Sequence, residues 1–578
     1  MSGQSTCALA DMTTPWHGID WAEAYRHVRR MQTRIVKATQ EKRWNKVKAL
    51  QRLLTSSFYG KALAVRRVTE NQGKRTPGVD GATWSTPETK MDAVYSLKRR
   101  GYQPLPLKRI YIPKSNGKMR PLSIPTMRDR AMQALYLLAL DPVSETVSDE
   151  QSYGFRKARS THDAIAQCYL NARYHGNPDD SRGARRSAEW IFEADIQGCF
   201  DNIDHDWLLA NVPMDASILR KWLKAGYLER NVFAPTQKGT PQGGIISPVL
   251  ANFALNGLEQ ALKDALGSKE QCKKAKVNLV RYADDFVITG VTRELLEERI
   301  RPAVEKFLAG RGLLLSPEKT KISHITDGYD FLGQNIRRYN SKLLIKPSRK
   351  NVKAFLQKVR GLVRELCAAP QLKVIEVLNP VIDGWARYHR HVVSKQTFSN
   401  VDNQIWYCLW QWAKRRHPNK INNWIKERYF HRIGERSWMF AVRVGGMPEE
   451  GEPAYRVLRH AAKLPIERHQ KIKADANPYD PAWEEYFEKR ACWRMEQSTQ
   501  GRKRIADLWM SQHGRCLVCH QVLEIGDMHV HHLIERCKGG KEIASNEVLL
   551  HDTCHKQVHS QGIKLEKPGP VKRVFVET

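Results

Sequence analysis

The chain has 578 residues, too many for one hydrophobic core, so several domains are expected. Its 95 Lys and Arg against 61 Asp and Glu give a formal net charge of +34, which argues against an enzyme of small metabolites and calls for a polyanionic partner. It contains no run of eighteen apolar residues and no basic start followed by an apolar stretch, so neither a membrane partner nor export is expected.

In chain order, residues 20–66 read as helix, with Val28, Met31 and Ile35 on one face, Val47, Leu50 and Leu54 on another, and Arg and Lys filling the rest. The turn-rich stretch 73–84, punctuated by Pro77-Gly78 and Asp80-Gly81, precedes alternating segments at 109–125 that predict strands. A polar stretch from Gly176 to Ala188 predicts a surface loop, after which strands and helices alternate to about Arg338. From Ser348 to about Trp438 the pattern is helical and Trp-rich, which predicts a separate helical domain. Residues 470–500 read as a linker or small connecting module, and the last 70 residues as a compact Cys/His unit. Cys516, Cys519, Cys537 and Cys554 crowd that end while the other cysteines are scattered. This predicts a reducing compartment and a local metal site, not a disulfide framework.

Between apolar stretches, Asp284 and Asp285 occupy a spacing expected of strand, tight turn and strand. Taken alone, such a pair is as often an ordinary hairpin. A third carboxylate, Asp195, ends the short apolar run that begins at Trp190. Two-metal phosphoryl transfer needs carboxylates from separate strands that converge on two Mg²⁺ ions. Asp195 and Asp284 would bridge both ions and Asp285 would be a neighbouring ligand.

Here the chain resembles the reverse transcriptases, whose third motif is Tyr-x-Asp-Asp, at Tyr282-Ala283-Asp284-Asp285. The other motifs follow in order. Lys114, within Ile112-Pro-Lys, and Arg120 are similar to the pair that binds the incoming triphosphate. Phe200 matches the steric gate against ribonucleotides, and Gln242, within Gly239-Thr-Pro-Gln-Gly, the residue near the new base pair. Ser316-Pro-Glu-Lys319 is similar to the fourth motif, with Lys319 on the nucleotide side, and Phe331-Leu-Gly333 to the primer grip. Six motifs in the correct order leave little room for coincidence.

The match is closer to bacterial group II intron-encoded proteins, through Ser57-Phe-Tyr59-Gly, Pro77-Gly-Val-Asp80-Gly81 and Ser152-Tyr-Gly-Phe155-Arg156. That resemblance implies a multidomain α/β protein: right-hand polymerase fingers and palm, an α-helical thumb/maturase (X) domain and a small zinc-stabilised ββα HNH domain. The corresponding boundaries are 1–66 for a basic helical extension, 67–345 for fingers and palm, 346–465 for the thumb, 466–509 for a connecting DNA-binding region and 510–578 for the nuclease. The implied partners are group II intron RNA, target DNA and dNTPs. The implied location is the bacterial cytoplasm, with nucleoid association during work on DNA; one protein copy or two remains open. Gly384-Trp385-Ala386-Arg387-Tyr388-His389 fits the maturase region.

Near the C-terminus, Cys516-Leu-Val-Cys519 has zinc-knuckle spacing and pairs most naturally with His551 and Cys554 for a structural Zn²⁺, Cys537 being the alternative fourth ligand. The same segment resembles the HNH nucleases. By that match His532 is the general base, Asn546 orients the loop or that base, and His531, His555 and His559 bind a catalytic divalent cation. Two other functions fit the sequence less well. A non-catalytic splicing chaperone fits poorly with the intact carboxylates, and a host-adopted reverse transcriptase fits poorly with the nuclease-like tail.

Overall fold

The computed structural model describes residues 16–113, 117, 119–173, 187–340, 342–443, 455–498, 503–524, 527–534 and 543–566. Lys114, Cys537, Gly539, Gly540 and most of the 176–188 stretch lie outside them. No helix among the described residues is long and apolar enough to cross a membrane.

The amino-terminal helical region is three helices, not one: α1 (Trp21–Gln40), α2 (Trp44–Ser56) and α3 (Phe58–Glu70). Asp20 caps α1 by accepting from Glu23 N, and the first break falls at Lys42, whose φ of 54° a helix does not allow. Ser57 caps α3 through Gly60 N. After α4 (Pro87–Ser96) come β1 (Leu107–Pro113), β2 (Met119–Ile124) and α5 (Met127–Val147). The three amino-terminal helices pack on α5, and Gln32 Nε2 donates to Leu138 O across that contact. Downstream are α6 (Thr161–Ala172), β3 (Trp190–Asp195), α7 (Cys199–Asn202), β4 (Tyr227–Glu229) and β5 (Val232–Ala234). A first sheet has the order β2-β1-β4-β5, with Ile112 opposite Arg120.

The central sheet adds β6 (Asn278–Tyr282), β7 (Asp285–Gly290) and β8 (Lys321–His324) in the order β6-β7-β3-β8, all antiparallel. It separates two cores. Phe192, Leu279, Phe286 and Ile288 face one, while Ile191, Val280 and Val287 face the other. Burial on both faces explains why these strands read as continuous apolar runs. A smaller sheet of β9 (Tyr329–Phe331), β10 (Gln334–Tyr339) and β11 (Lys342–Pro347) leads to the helices Arg349–Glu365, Gln371–His389, Lys395–Arg416 and Asn422–Tyr429.

That helical region has its own core, in which Trp385 stacks on Phe355 with centroids 4.4 Å apart. The helices end sooner than the Trp-rich pattern predicts. β12 (Phe430–Ile433) and β13 (Arg436–Arg443) follow, because Phe430 and Phe440 face each other across a strand pair and join the core. β14 (Tyr455–Val457) completes this sheet.

Within the stretch read as a linker or small connecting module (470–500), residues up to 479 are packed into the fold. Ile472, Ala476 and Tyr479 are buried, and the buried Asp163 carboxylate takes Ile472 N, His469 and Arg490 within 2.7–2.8 Å. The segment is a strap across α5 and α6: Ile472 N and His469 bond the buried Asp163 of α6, and Tyr479 Oη donates to Asp141 of α5. The carboxy-terminal module contains the helix Lys503–Ser511, β15 (His529–His532), β16 (Glu547–Leu550) and the helix Asp552–Gln561.

Candidate active sites and metal centre

In the antiparallel β3–β7 pair, Asp195 stands directly opposite Asp285. Asp284 lies in the β6–β7 turn, which begins at Ala283 with a φ of 59°. Three carboxylates therefore converge at one end of the central sheet. Burial raises the Asp285 carboxyl to about 7, with help from the charges of Asp284 and Asp195. Asp284 is also raised, mainly by burial and by Asp195, while Lys319 and Arg120 pull the other way. Lys319 Nζ donates to Asp195 Oδ2 at 2.7 Å.

The turn is held from below by residues that sequence reading passed over. Arg281 is fully buried, donating from Nη1 to Asn252 Oδ1 and Ala283 O and from Nη2 to Asn256 Oδ1. Asn252 Nδ2 donates to Gly154 O. A Cβ on Gly154 would collide with the backbone of Tyr282 and Ala283, which accounts for the glycine in Ser152-Tyr-Gly-Phe155-Arg156. Arg156 of that stretch forms a buried pair with Glu145 at 2.6 Å.

Phe200 follows the left-handed Gly198 on α7, and its ring meets Phe155 edge-on at 6.0 Å. Gly239 lies close against the backbone of Phe200 and Asp201, and Thr240 N donates to Phe200 O, so this loop is fixed to the main chain that carries Phe200. Gln242 Nε2 donates to Asp201 Oδ2 at 3.1 Å, and its carbonyl accepts from Ser123 N at 2.7 Å. Arg120 is exposed on β2, while Lys114 lies outside the described residues.

The Phe331–Gly333 turn is clamped to the helical region. Tyr388 Oη donates to Leu332 O at 2.7 Å, Ser348 N donates to Gly333 O, and Trp385 Nε1 donates to Asn351 Oδ1. His389, fully buried, lies within 3.1 Å of Gln334 Oε1 and 2.9 Å of Asn351 Oδ1. Trp385, Tyr388 and His389 thus hold a turn, so their side chains are spoken for inside the fold.

In the carboxy-terminal module the Sγ atoms of Cys516, Cys519 and Cys554 and a ring nitrogen of His551 all lie within 4.8 Å of one another, and all four residues are buried. His551 Nε2 is 3.2 Å from Val522 O and Nδ1 is 3.3 Å from Cys519 Sγ. The carbonyl fixes the tautomer, leaving Nδ1 as the ligand atom. Three thiols and one imidazole in a closed, buried group fit a structural Zn²⁺.

A second group, His531, His555 and His559, also converges within 4.8 Å, with His555 Nε2 and His559 Nε2 3.3 Å apart. Side chains alternate along β15, so His529 shares the face of His531, and its ring stacks 6.1 Å from His555. His529 was missed by sequence reading, although a period of two from His531 points to it. His532 lies on the opposite face, its Nε2 3.6 Å from Oε1 of the buried Glu547. Asn546 holds the chain just beyond: Oδ1 accepts from Ile534 N at 2.8 Å and Nδ2 donates to Ile534 O at 3.0 Å.

Family models match in chain order: the N-terminal domain of reverse transcriptase at 16–97, reverse transcriptase (RNA-dependent DNA polymerase) at 112–336, the group II intron maturase-specific domain at 352–430 and HNH endonuclease at 516–561. Protein YkfC of Escherichia coli (strain K12) is 35% identical over 335 residues, which are 51% of this chain and 85% of that protein. The group II intron-encoded protein LtrA of Lactococcus lactis subsp. cremoris is 32% identical over 338 residues, 48% of this chain and 54% of its own. The match thus spans about half of LtrA. Telomerase from Candida albicans, solved with a fragment of telomeric RNA, aligns at 12% identity with a TM-score of 0.29 over 57% of this chain and 65% of that one.

The fold and its carboxylate-bearing sheet define a reverse transcriptase. With the maturase and HNH domains that follow in the same chain, the protein belongs to the group II intron-encoded family.

Proposed function

We propose that the chain copies RNA into DNA at Asp195, Asp284 and Asp285, supports splicing by binding group II intron RNA, and nicks target DNA to prime copying during intron mobility. The observation that carries the reading is the opposition of Asp195 and Asp285 across β3–β7 with Asp284 on the adjoining turn. Crowded carboxylates repel one another, and hard oxygen donors of this kind suit two Mg²⁺ ions. When bound, these ions activate the primer hydroxyl and hold the triphosphate. Lys114 and Arg120 take the triphosphate from the fingers side, Phe200 excludes the ribose 2′-hydroxyl, Gln242 supports the new base pair, and Lys319 orients Asp195.

Residues 1–66 and 67–345 form the polymerase half in this reading, 346–465 the intron-binding thumb, 466–509 a DNA-binding connection and 510–578 the nuclease. There His531, His555 and His559 hold the catalytic divalent cation. His532 is the general base: with Nε2 turned to Glu547, Nδ1 is left to accept the proton of the attacking water. Asn546 fixes the loop beside that base. Cys516, Cys519, His551 and Cys554 hold the structural Zn²⁺. The protein works in the bacterial cytoplasm and joins the nucleoid when it acts on DNA.

The test is the RNA that copurifies with the protein. An intron lariat, with primer extension by the same preparation, is the expected result. A preparation active in extension but carrying no intron RNA would reject the intron-specific part of the reading.

A further inference from the structure

Arg66 belongs to α3, near the beginning of the chain, yet its guanidinium reaches the metal-ligand group near the end. Nη2 donates to Cys554 Sγ at 3.5 Å and Nε donates to Glu70 Oε1 at 3.1 Å. The guanidinium carbon lies 4.7 Å from the Trp21 ring centroid and 5.6 Å from that of Tyr25. Arg66 is only 3% exposed, and its Nη1 has no hydrogen-bond partner. Glu70 accepts in turn from Thr553 Oγ1, the residue just before Cys554. The same helix is fixed farther along, where Gln557 Nε2 donates to His17 O at 3.0 Å and Ser560 Oγ lies 2.7 Å from His17 Nδ1.

Burying a guanidinium is costly unless anions surround it. Glu70 is one such anion. Three thiolates and a neutral imidazole around Zn²⁺ leave one net negative charge, which supplies the second. The bound ion would also fix the position of Cys554 Sγ, and with it the acceptor that faces Nη2.

We propose that Arg66 is the outer-shell partner of the Cys516/Cys519/His551/Cys554 zinc site, so that metal loading both closes the carboxy-terminal module and fixes it against α1 and α3. This rests on the zinc reading above and extends it: the polymerase segment contributes a residue to the metal centre of the nuclease module, and zinc governs how the two are joined.

The experiment uses the full chain as wild type, Arg66→Met, Arg66→Lys and Cys516→Ser, with zinc content, zinc release to a chromogenic chelator and amide hydrogen exchange as readouts. Outer-shell partners typically change metal affinity by 10–100-fold, so Arg66→Met should release zinc about 10-fold faster or more. Arg66→Lys, which keeps the charge but loses the planar fork, should recover part of that difference. Stripping zinc from the wild type should raise exchange in residues 21–40 and 58–70 as well as in 503–566. This arm decides the matter even if Arg66→Met fails to fold. Release from a folded Arg66→Met at the wild-type rate, or stripping that leaves 21–40 and 58–70 as protected as before, would overturn the role of Arg66. A wild-type preparation without zinc, or zinc unaffected by Cys516→Ser, would overturn the zinc reading instead.

Discussion

The Asp285 carboxyl at the polymerase site is displaced upward, with a consequence for metal binding. Burial and the charges of Asp284 and Asp195 lift its carboxyl to about 7, so near neutrality a proton competes with a cation for this cluster. Raising the pH removes the proton and favours the cation. The Mg²⁺ concentration needed for half-maximal primer extension should therefore fall between pH 6.5 and 8, and a requirement independent of pH over that range would contradict the assignment. Gly154 offers a second residue-scale test. A methyl group there has only the backbone of Tyr282 and Ala283 to push against, so Gly154→Ala should displace the turn bearing Asp284. We expect extension to fall at least about 10-fold, the equivalent of roughly 1.4 kcal/mol in the barrier, while RNA binding measured on filters stays near wild type.

Elements show what could be read from sequence and what could not. The Tyr282–Asp285 turn and the run from Trp190 to Asp195 were legible because apolar strand patterning ends at acidic residues. Likewise, Cys and His spacing near the C-terminus suggested the zinc group, while the resemblance to HNH nucleases implied the histidine group. The supports of those elements were not legible. Arg281, Asn252 and Asn256 are single polar residues in unrelated stretches, joined only by folding, and neither Glu547 nor Arg66 has a local pattern that announces it. Residues 470–500 read as a linker or small connecting module because their polar content gives no sign of Asp163, some three hundred residues away, which accepts from Ile472 N. At this scale the nuclease and polymerase elements have no proposed catalytic residue in common. His532→Ala should remove strand nicking of a double-stranded target by the purified ribonucleoprotein and leave extension of a supplied primer intact. A strand-labelled cleavage assay that shows wild-type nicking in this variant would mean that His532 is not the base.

For the whole molecule, charge and acidity act over longer distances. With a net charge of +34, affinity for RNA should drop steeply along a plot of log affinity against log salt, and a slope near zero would contradict binding through phosphate contacts. The junction between palm and thumb should also be acid-labile. Burial holds His389 and His162 down to about 4, and His391 to about 2, far below a free imidazole. Below pH 6.5 the unfolded chain takes up protons that these folded histidines refuse, so stability must fall as the pH drops from 6.5 toward 4. A thermal midpoint that does not decline over that interval would show that the histidines are not held neutral.

In the proposed function DNA synthesis resides in three carboxylates brought together by β3, β7 and the turn between β6 and β7. The decisive measurement is primer extension on an RNA template by the Asp284→Asn, Asp285→Asn double variant, with filter binding of RNA on the same preparation. No detectable extension is expected, with RNA affinity close to wild type. Extension that survives in the double variant would contradict this assignment.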